Sequence, residues 1–454
     1  MRELLRDTAD RVASYLETLP ARGVAPTPGA IAALRGFDTP LDAGGRSAES
    51  VLDELDRLGS PATIGMAGPR FFGFVIGGSL PVTVAANLLA TGWDQNSALY
   101  NVTPGIGVLE QVAFRWLIQL FGLPENSGGA FVTGATVANF VALAAARHRL
   151  LQRAGWNVEA DGLFGAPPLR VIVGQEAHPS MIKSLGMLGL GRTRVERVPA
   201  DAQGRMRADQ LPALDERCIV CAQVGNVNTG ACDPLEPIAQ ATRAAGAWLH
   251  VDGAFGLWAA ATPQRAHLVR GIGDADSWAT DAHKWLNVPY DSGLAFVRDE
   301  PALRAAMAIT AEYLPTTTTQ RNPADYTPEL SRRARGVEVW AALRSLGRDG
   351  VAELIDRNCR QAARFAQGLR DAGYSILHDV VLNQVLVSFG DAALTQRVIT
   401  ALQAEGTCWC GGTVWQGQTA MRISVSSWAT TDADVELSLE AIRRVARECG
   451  ASGT

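Results

Sequence analysis

The stretch from Trp248 to Val297, WLHVDGAFGLWAAATPQRAHLVRGIGDADSWATDAHKWLNVPYDSGLAFV, decides how the rest of the chain is read. The apolar alternation of Ala247, Leu249 and Val251 reads as a buried strand ending at a carboxylate, Asp252. Further on, Asp281-Ala282-His283-Lys284-Trp285 holds one of only two lysines in 454 residues; the other is Lys183. Lysine and arginine together number 41, so 39 of them are arginine. Lysine is ordinarily a common residue. Where arginine has taken almost every basic position, a retained lysine points to chemistry that arginine cannot perform. A guanidinium does not give up its proton, whereas an amine that acts as a nucleophile must. A carboxylate buried at a strand end, for its part, needs a cationic partner.

Working outward, the length allows two or three domains with a large core. An apolar content of 47% and a charged content of 19% are values of a globular protein. The net charge is -5 and no basic run occurs, which argues against nucleic acid and anionic membrane as partners. No uninterrupted apolar window of about 18 residues is present, so no membrane span is expected. The opening MRELLRDTADRVASYLETL reads as an amphipathic helix with acidic residues, unlike a signal peptide. The seven cysteines are scattered. Cys218 and Cys221 have CxxC spacing, but their apolar run reads as a core strand and not as a metal or redox site. A reducing cytoplasm is the expected location.

Residues 1–58 read as a helical segment with a break from Pro20 to Pro28, packing on another surface such as a second subunit. Residues 61–104 interleave aromatics and glycines with Asn96, Tyr100, Asn101 and Thr103, a pattern of either loop packing or a pocket wall. A helix follows over 105–122. From Gly128 to Asn139 a short apolar strand meets a small-residue turn and enters a long helix; such a turn lets a backbone approach phosphate. Strand and helix then alternate over 170–300, which predicts a parallel sheet with crossovers. Ligands of such sheets sit at the carboxyl ends of the strands. His178, Asn226 and Asp252 each follow a strand, so the three converge at one sheet edge. After about residue 335 the pattern becomes a small α+β domain. The expected fold is therefore α/β: an N-terminal helical segment 1–58, a large domain 59–320 with a mainly parallel sheet, and a small C-terminal domain 321–454.

HVDGAFG, then DAHKWLNVPYDSG, with EAHPS upstream and GNVNTGACDP between, resembles the pyridoxal-phosphate-dependent decarboxylases of group II. The pattern is most similar to the aromatic-L-amino-acid decarboxylase branch and spans about residues 60 to 440. The resemblance implies an aspartate aminotransferase-like fold, pyridoxal 5'-phosphate as cofactor, and a homodimer. It also implies decarboxylation of an L-amino acid to the amine. Lys284 matches the Schiff-base lysine. Asp252 matches the carboxylate that pairs with the pyridine nitrogen, and Ala254 the small residue beneath the ring. His178 matches the histidine that stacks on the other face. Ala135 and Thr136 match the phosphate-binding turn, with His283 as a further phosphate contact. Asn226 stands where relatives commonly have a threonine near the phenolic oxygen. In the polar stretch Pro315 to Arg333, which reads as a mobile loop, Tyr326 matches a tyrosine that returns a proton to the α-carbon.

The chain departs from the pattern at three places. Val137 stands where relatives carry an acid, Asn226 replaces threonine, and the stretch around Tyr326 is shorter. These keep other reactions open: an aminotransferase, an aldolase-type lyase or an aldehyde synthase. A non-catalytic binding module is opposed by the retention of both Lys284 and Asp252. Arg422 lies where aminotransferases of this fold keep an arginine for the substrate carboxylate; a structural ion pair is the competing reading. No lysine or arginine stands out as a reader of a distal acid, so an aromatic or apolar amino acid is the expected substrate.

Overall fold

The computed structural model describes residues 1–309 and 320–451. The Thr316–Thr319 run and the first residues of the stretch that begins at Pro315 lie outside the described residues. The chain divides into two compact units. One is formed by 79–360 with 378–384; the other by 1–78, 361–377 and 385–454. This differs from the expected three-part division. The N-terminal helices share a unit with the C-terminal α+β elements, and one boundary falls inside the Gly336–Asp371 helix. That helix reads as continuous in sequence, but Gly347 interrupts it with φ 63°. A glycine tolerates such a backbone at little steric cost.

The larger unit holds a seven-stranded sheet. Its strands are β1 (Gly128–Val132), β2 (Arg170–Gly174), β3 (Glu196–Val198), β4 (Cys218–Gln223), β5 (Trp248–Asp252), β6 (Ser277–Asp281) and β7 (Gly293–Val297). The order is β1-β7-β6-β5-β4-β2-β3, with β7 antiparallel to both its neighbours and the remaining pairs parallel. The mainly parallel expectation holds. Strands buried on both faces explain the continuous apolar runs that made them legible. Cys218 and Cys221 are both buried thiols in the middle of β4, as a core strand requires.

The core on one face joins β1, β2 and β4 to three helices: Ala135–Arg153, Pro179–Met187 and Glu300–Met307. Alanine at 142, 144, 145 and 146 lets the first of these lie close against the sheet. Aromatic rings fill the rest: Phe121 meets Trp258 edge-on at 5.0 Å, and Phe114 stacks on Phe296 at 4.9 Å. The strand–helix alternation expected over 170–300 is reduced between β3 and β4 to the short turn Ala208–Gln210.

The smaller unit carries a four-stranded sheet, ordered β10-β11-β9-β8. Its strands are β8 (Ser375–Ile376), β9 (Gln384–Ser388), β10 (Gly411–Trp415) and β11 (Gln418–Ser424). The helices Ala392–Glu405 and Asp432–Glu448 accompany it, the second capped by Thr431 and Asp434 acting on each other's backbone. Arg70 and Asp434 form an ion pair there at 3.1 Å. No helix among the described residues is long and apolar enough to cross a membrane.

Candidate active site

Asp252 is the last residue of β5, and Asp281 the last of β6. The two strands run in parallel, so their ends share one edge of the sheet. Val132, the last residue of β1, pairs with Gly293 at that same edge. The chain then turns through Gly134 into the Ala135–Arg153 helix. Here two glycines pack backbone on backbone. A Cβ on Gly293 would fall 2.4 Å from the Cα of Gly134. One on Gly134 would meet the His283 ring at 3.2 Å. The two glycines bring the backbone close at the helix start, with the His283 and Asp281 side chains beside it. The N–H groups of Thr136 and Val137 have no partner inside the helix, as first-turn amides never do. They make an anion site of the expected kind. Ser184 Oγ holds the turn from behind by donating to the carbonyl of Thr136 at 2.8 Å.

The first amide of that helix is engaged by a residue the sequence reading passed over. Asp281 Oδ1 accepts from Ala135 N–H at 2.6 Å, and its Oδ2 lies 2.9 Å from Lys284 Nζ. A buried carboxylate thus ties the nucleophile to the anion turn. Its position three residues before the lysine was the available signal. Lys284 is only partly buried, its side chain 22% exposed, while His283 and Trp285 on either side are buried. The amine is anchored by its stem and reaches out of the core. Lys183 is instead exposed on the outer face of its helix. The structure separates the two lysines as the rarity argument requires.

His283 Nδ1 accepts from Ser292 N–H at 3.0 Å, and its ring lies against Tyr290 at 4.3 Å. Burial lowers its basicity, with Asp281 opposing. Its other nitrogen lies 3.7 Å from Asp281 Oδ1, beside the helix start.

Asp252 is almost wholly buried, at 3% exposure. Its Oδ1 accepts from Ala254 N–H at 3.2 Å, and its Oδ2 from Asn139 Nδ2 at 3.2 Å. Burial pushes its carboxyl above the usual carboxylate range; the nearby charges of His178 and Lys284, then these two hydrogen bonds, pull it back. The three residues on which the sequence reading rested are therefore close enough to influence one another. Ala254 is half-buried between buried neighbours, as a small residue facing a ligand would be. His178 follows β2 and caps the Pro179–Met187 helix. Its Nδ1 accepts from Ser180 N–H at 3.2 Å and meets Ser180 Oγ at 2.7 Å, which leaves Nε2 as the edge that carries a proton.

Asn226 lies at the expected loop after β4, but its side chain serves the loop itself. Its Oδ1 accepts from Asn228 and Thr229 N–H at 2.9 and 3.2 Å, and its Nδ2 donates to Gln223. Gly225 supplies the reversal there with φ 84°.

Tyr326 lies apart from the other candidate residues of its own chain. It is buried at 3% exposure in the short turn Pro323–Tyr326, its hydroxyl donates to Glu300, and the Arg321 guanidinium sits 4.0 Å over its ring. Glu300 follows β7, which runs antiparallel to β6, and packs on Gly128 at the start of β1. That is the sheet edge opposite Asp252 and Lys284. In this chain the phenol is a buried group at that opposite edge. Arg422 lies on β11 of the smaller unit, where burial lowers its guanidinium's basicity.

What this arrangement can hold is an anion at a helix start, a ring cation beside Asp252, and a carbonyl carbon on Lys284. Pyridoxal 5'-phosphate has all three features, and the residues fit it. The chain belongs to the pyridoxal-dependent decarboxylase family, whose conserved-domain model matches residues 33–390. It is a pyridoxal-phosphate-dependent decarboxylase. Tryptophan decarboxylase 1 of Oryza sativa subsp. japonica is 25% identical over 495 residues, covering 99% of this chain and 94% of that protein. Aromatic-L-amino-acid decarboxylase of Bacillus atrophaeus is 26% identical over 369 residues, 78% of this chain and 74% of its own. In fold, the structure of Oryza sativa TDC with PLP and tryptamine matches with a TM-score of 0.90 at 22% identity, covering 98% of this chain and 97% of that one.

Proposed function

We propose that this decarboxylase acts on an L-amino acid with an aromatic or apolar side chain and releases the corresponding amine, with Lys284 and Asp252 as its central residues. The observation that carries the reading is that Asp252 ends β5, Lys284 follows the end of β6 and His178 follows β2, all at one edge of the sheet and beside the start of the Ala135–Arg153 helix. Bound pyridoxal phosphate supplies the electron sink for the pair left on the α-carbon when carbon dioxide departs. The chain's residues do the rest. Lys284 would hold the cofactor's carbonyl carbon. Asp252 would keep a proton on the pyridine nitrogen and so stabilise negative charge there. His178, pinned through Nδ1 by Ser180, would offer Nε2–H to orient the substrate carboxylate. Thr136, Val137 and His283 hold the phosphate end. The carboxylate must not be gripped too tightly, since binding that favours the ground state does not accelerate its loss.

The aromatic preference is supported by relatives named for tryptophan and aromatic amino acids. We assign the active form to a homodimer. The Arg2–Thr18 helix buries no residue, and Leu5 and Val12 stay exposed on it. The Pro81–Trp93 helix likewise leaves Val82, Leu88, Leu89 and Trp93 exposed. Cytoplasmic residence is supported by seven cysteines that are all unpaired. A screen of the twenty amino acids, following carbon dioxide, amine and keto acid together, tests the reading. Carbon dioxide and amine in equal amounts, fastest from an aromatic substrate, are expected. Keto acid or aldehyde in place of amine would assign a different reaction to the same site.

A further inference from the structure

Behind Asp252 lies a chain of buried side chains that the reaction scheme does not use. Trp248 Nε1 donates to Ser277 Oγ at 2.9 Å. Ser277 Oγ lies 2.9 Å from His250 Nδ1. His250 Nε2 lies 2.9 Å from Asn139 Oδ1, and Asn139 Nδ2 is 3.2 Å from Asp252 Oδ2. Ser277, His250 and Asn139 are each fully buried.

The two ends of this chain determine the direction of every bond in it. An indole N–H can only donate, and an ionised carboxylate can only accept. Asn139 must therefore turn its amide nitrogen to Asp252 and its oxygen to His250. That oxygen accepts, so His250 carries its proton on Nε2. Nδ1 then accepts, and Ser277 must donate its hydroxyl proton to it while accepting from Trp248. Each group is satisfied in this one arrangement. A charged imidazole would donate to Ser277 as Trp248 does, filling both lone pairs of the hydroxyl and leaving its own proton without an acceptor in this chain. Burial agrees, lowering the His250 pKa to about 3.

We propose that Asn139 and His250 are positioning residues of the decarboxylase. In this proposal, Trp248, Ser277, His250 and Asn139 form an uncharged relay that delivers one N–H to Asp252 and keeps its carboxylate ionised and aligned on the pyridine nitrogen. The inference rests on the cofactor reading given above. It adds a geometric consequence. Asn139 lies one turn into the helix whose start receives the phosphate. One rigid element thus sets both the phosphate end and the carboxylate that meets the opposite side of the ring, about 6 Å along its axis.

The test uses Asn139→Leu, which keeps size and removes the donor, and Ser277→Ala, which removes a donor three hydrogen bonds away from Asp252. Holoenzyme reconstituted with 15N-labelled pyridoxal phosphate reports ring-nitrogen protonation directly by its nitrogen chemical shift. Asn139→Leu is expected to move that shift toward the unprotonated form and to lower kcat roughly 10- to 100-fold with KM little changed, as losing a hydrogen bond to a charge should. Ser277→Ala should move both in the same direction, by less. Should Asn139→Leu fail to fold, the serine variant and the His250 tautomer in wild type decide, the latter read by long-range 1H–15N correlation across the six histidines. Wild-type His250 must carry its proton on Nε2; a proton on Nδ1, or a ring shift and kcat unchanged in Ser277→Ala, overturns the relay. These outcomes are separate from the substrate reading. A wild type that holds the labelled cofactor but makes no amine would sink the decarboxylase reading, while the ring-nitrogen shift would still judge the relay.

Discussion

Replacing Asp252 by asparagine removes one charge and hardly any volume, and its cost follows from the contacts on the carboxylate. In the wild type both oxygens accept, one from Ala254 N–H and one from Asn139 Nδ2. An asparagine that keeps its oxygen on Ala254 turns an NH2 against the NH2 of Asn139. Turning Asn139 around moves the conflict to His250, whose Nε2–H then faces a donor. A change of tautomer then lets Ser277 accept from both Trp248 and His250, which leaves its own hydroxyl proton without an acceptor in the chain. One donor is therefore left unsatisfied inside a buried chain, where such a group costs about 1–3 kcal/mol. The catalytic loss is larger. Two unit charges about 4 Å apart attract by about 4 kcal/mol at an effective dielectric constant of about 20. At about 1.4 kcal/mol per tenfold in rate, losing that attraction lowers kcat about 10^3-fold. Steady-state release of carbon dioxide from the best substrate measures it, with cofactor content checked by absorbance. The variant should still bind cofactor. Turnover within tenfold of wild type would show that Asp252 is a structural carboxylate and that the ring nitrogen is served by another group.

Three further outcomes are expected. Because burial lowers the folded His250 pKa to about 3 from an ordinary 6.5, its contribution is present above pH 6.5 and is lost as pH falls toward 3, at about 1.4 kcal/mol per unit. Denaturant unfolding should show wild type losing about 2 kcal/mol more than His250→Gln between pH 6.5 and 5, and equal losses would refute a buried neutral ring. Tyr326→Phe should cost about 1 kcal/mol of stability through the lost bond to Glu300 and leave amine formation unchanged; a strong fall in amine yield would return the tyrosine to the reaction. Sedimentation should find a dimer, and a fully active monomer would leave the exposed apolar residues of the N-terminal helix unexplained.

How much of this was legible in the sequence varied with the range of the interaction involved. Lys284 stood out by rarity and Asp252 by ending an apolar strand; both signals are local, and both residues proved to share a sheet edge. His178 was placed by the same rule of strand ends. Asn139 and His250 were not recognised, because one looks like an ordinary helix residue and the other like strand filler. Their role exists only through contacts 111 and 113 residues apart in sequence. Tyr326 shows a related limit, since a polar, proline-rich stretch carries no sign of its own burial. Glu300, Arg321 and the apolar cluster around Leu303 bury it in its own chain. Asn226 shows a third limit: its loop position was right, but its side chain is taken up by the turn it forms. The boundary of the compact units inside the Gly336–Asp371 helix carries no local signal, because that helix looks continuous in sequence.

The central claim is that Lys284, and not Lys183, carries the cofactor. Borohydride reduction of the purified yellow enzyme followed by peptide mass spectrometry tests it most directly. The account predicts loss of the visible band and one pyridoxyl group on the peptide containing Asp281 to Trp285, with Lys284→Arg folded, unlabelled and inactive. A label on Lys183, or an enzyme that makes amine at the normal rate with Lys284 replaced, would contradict it.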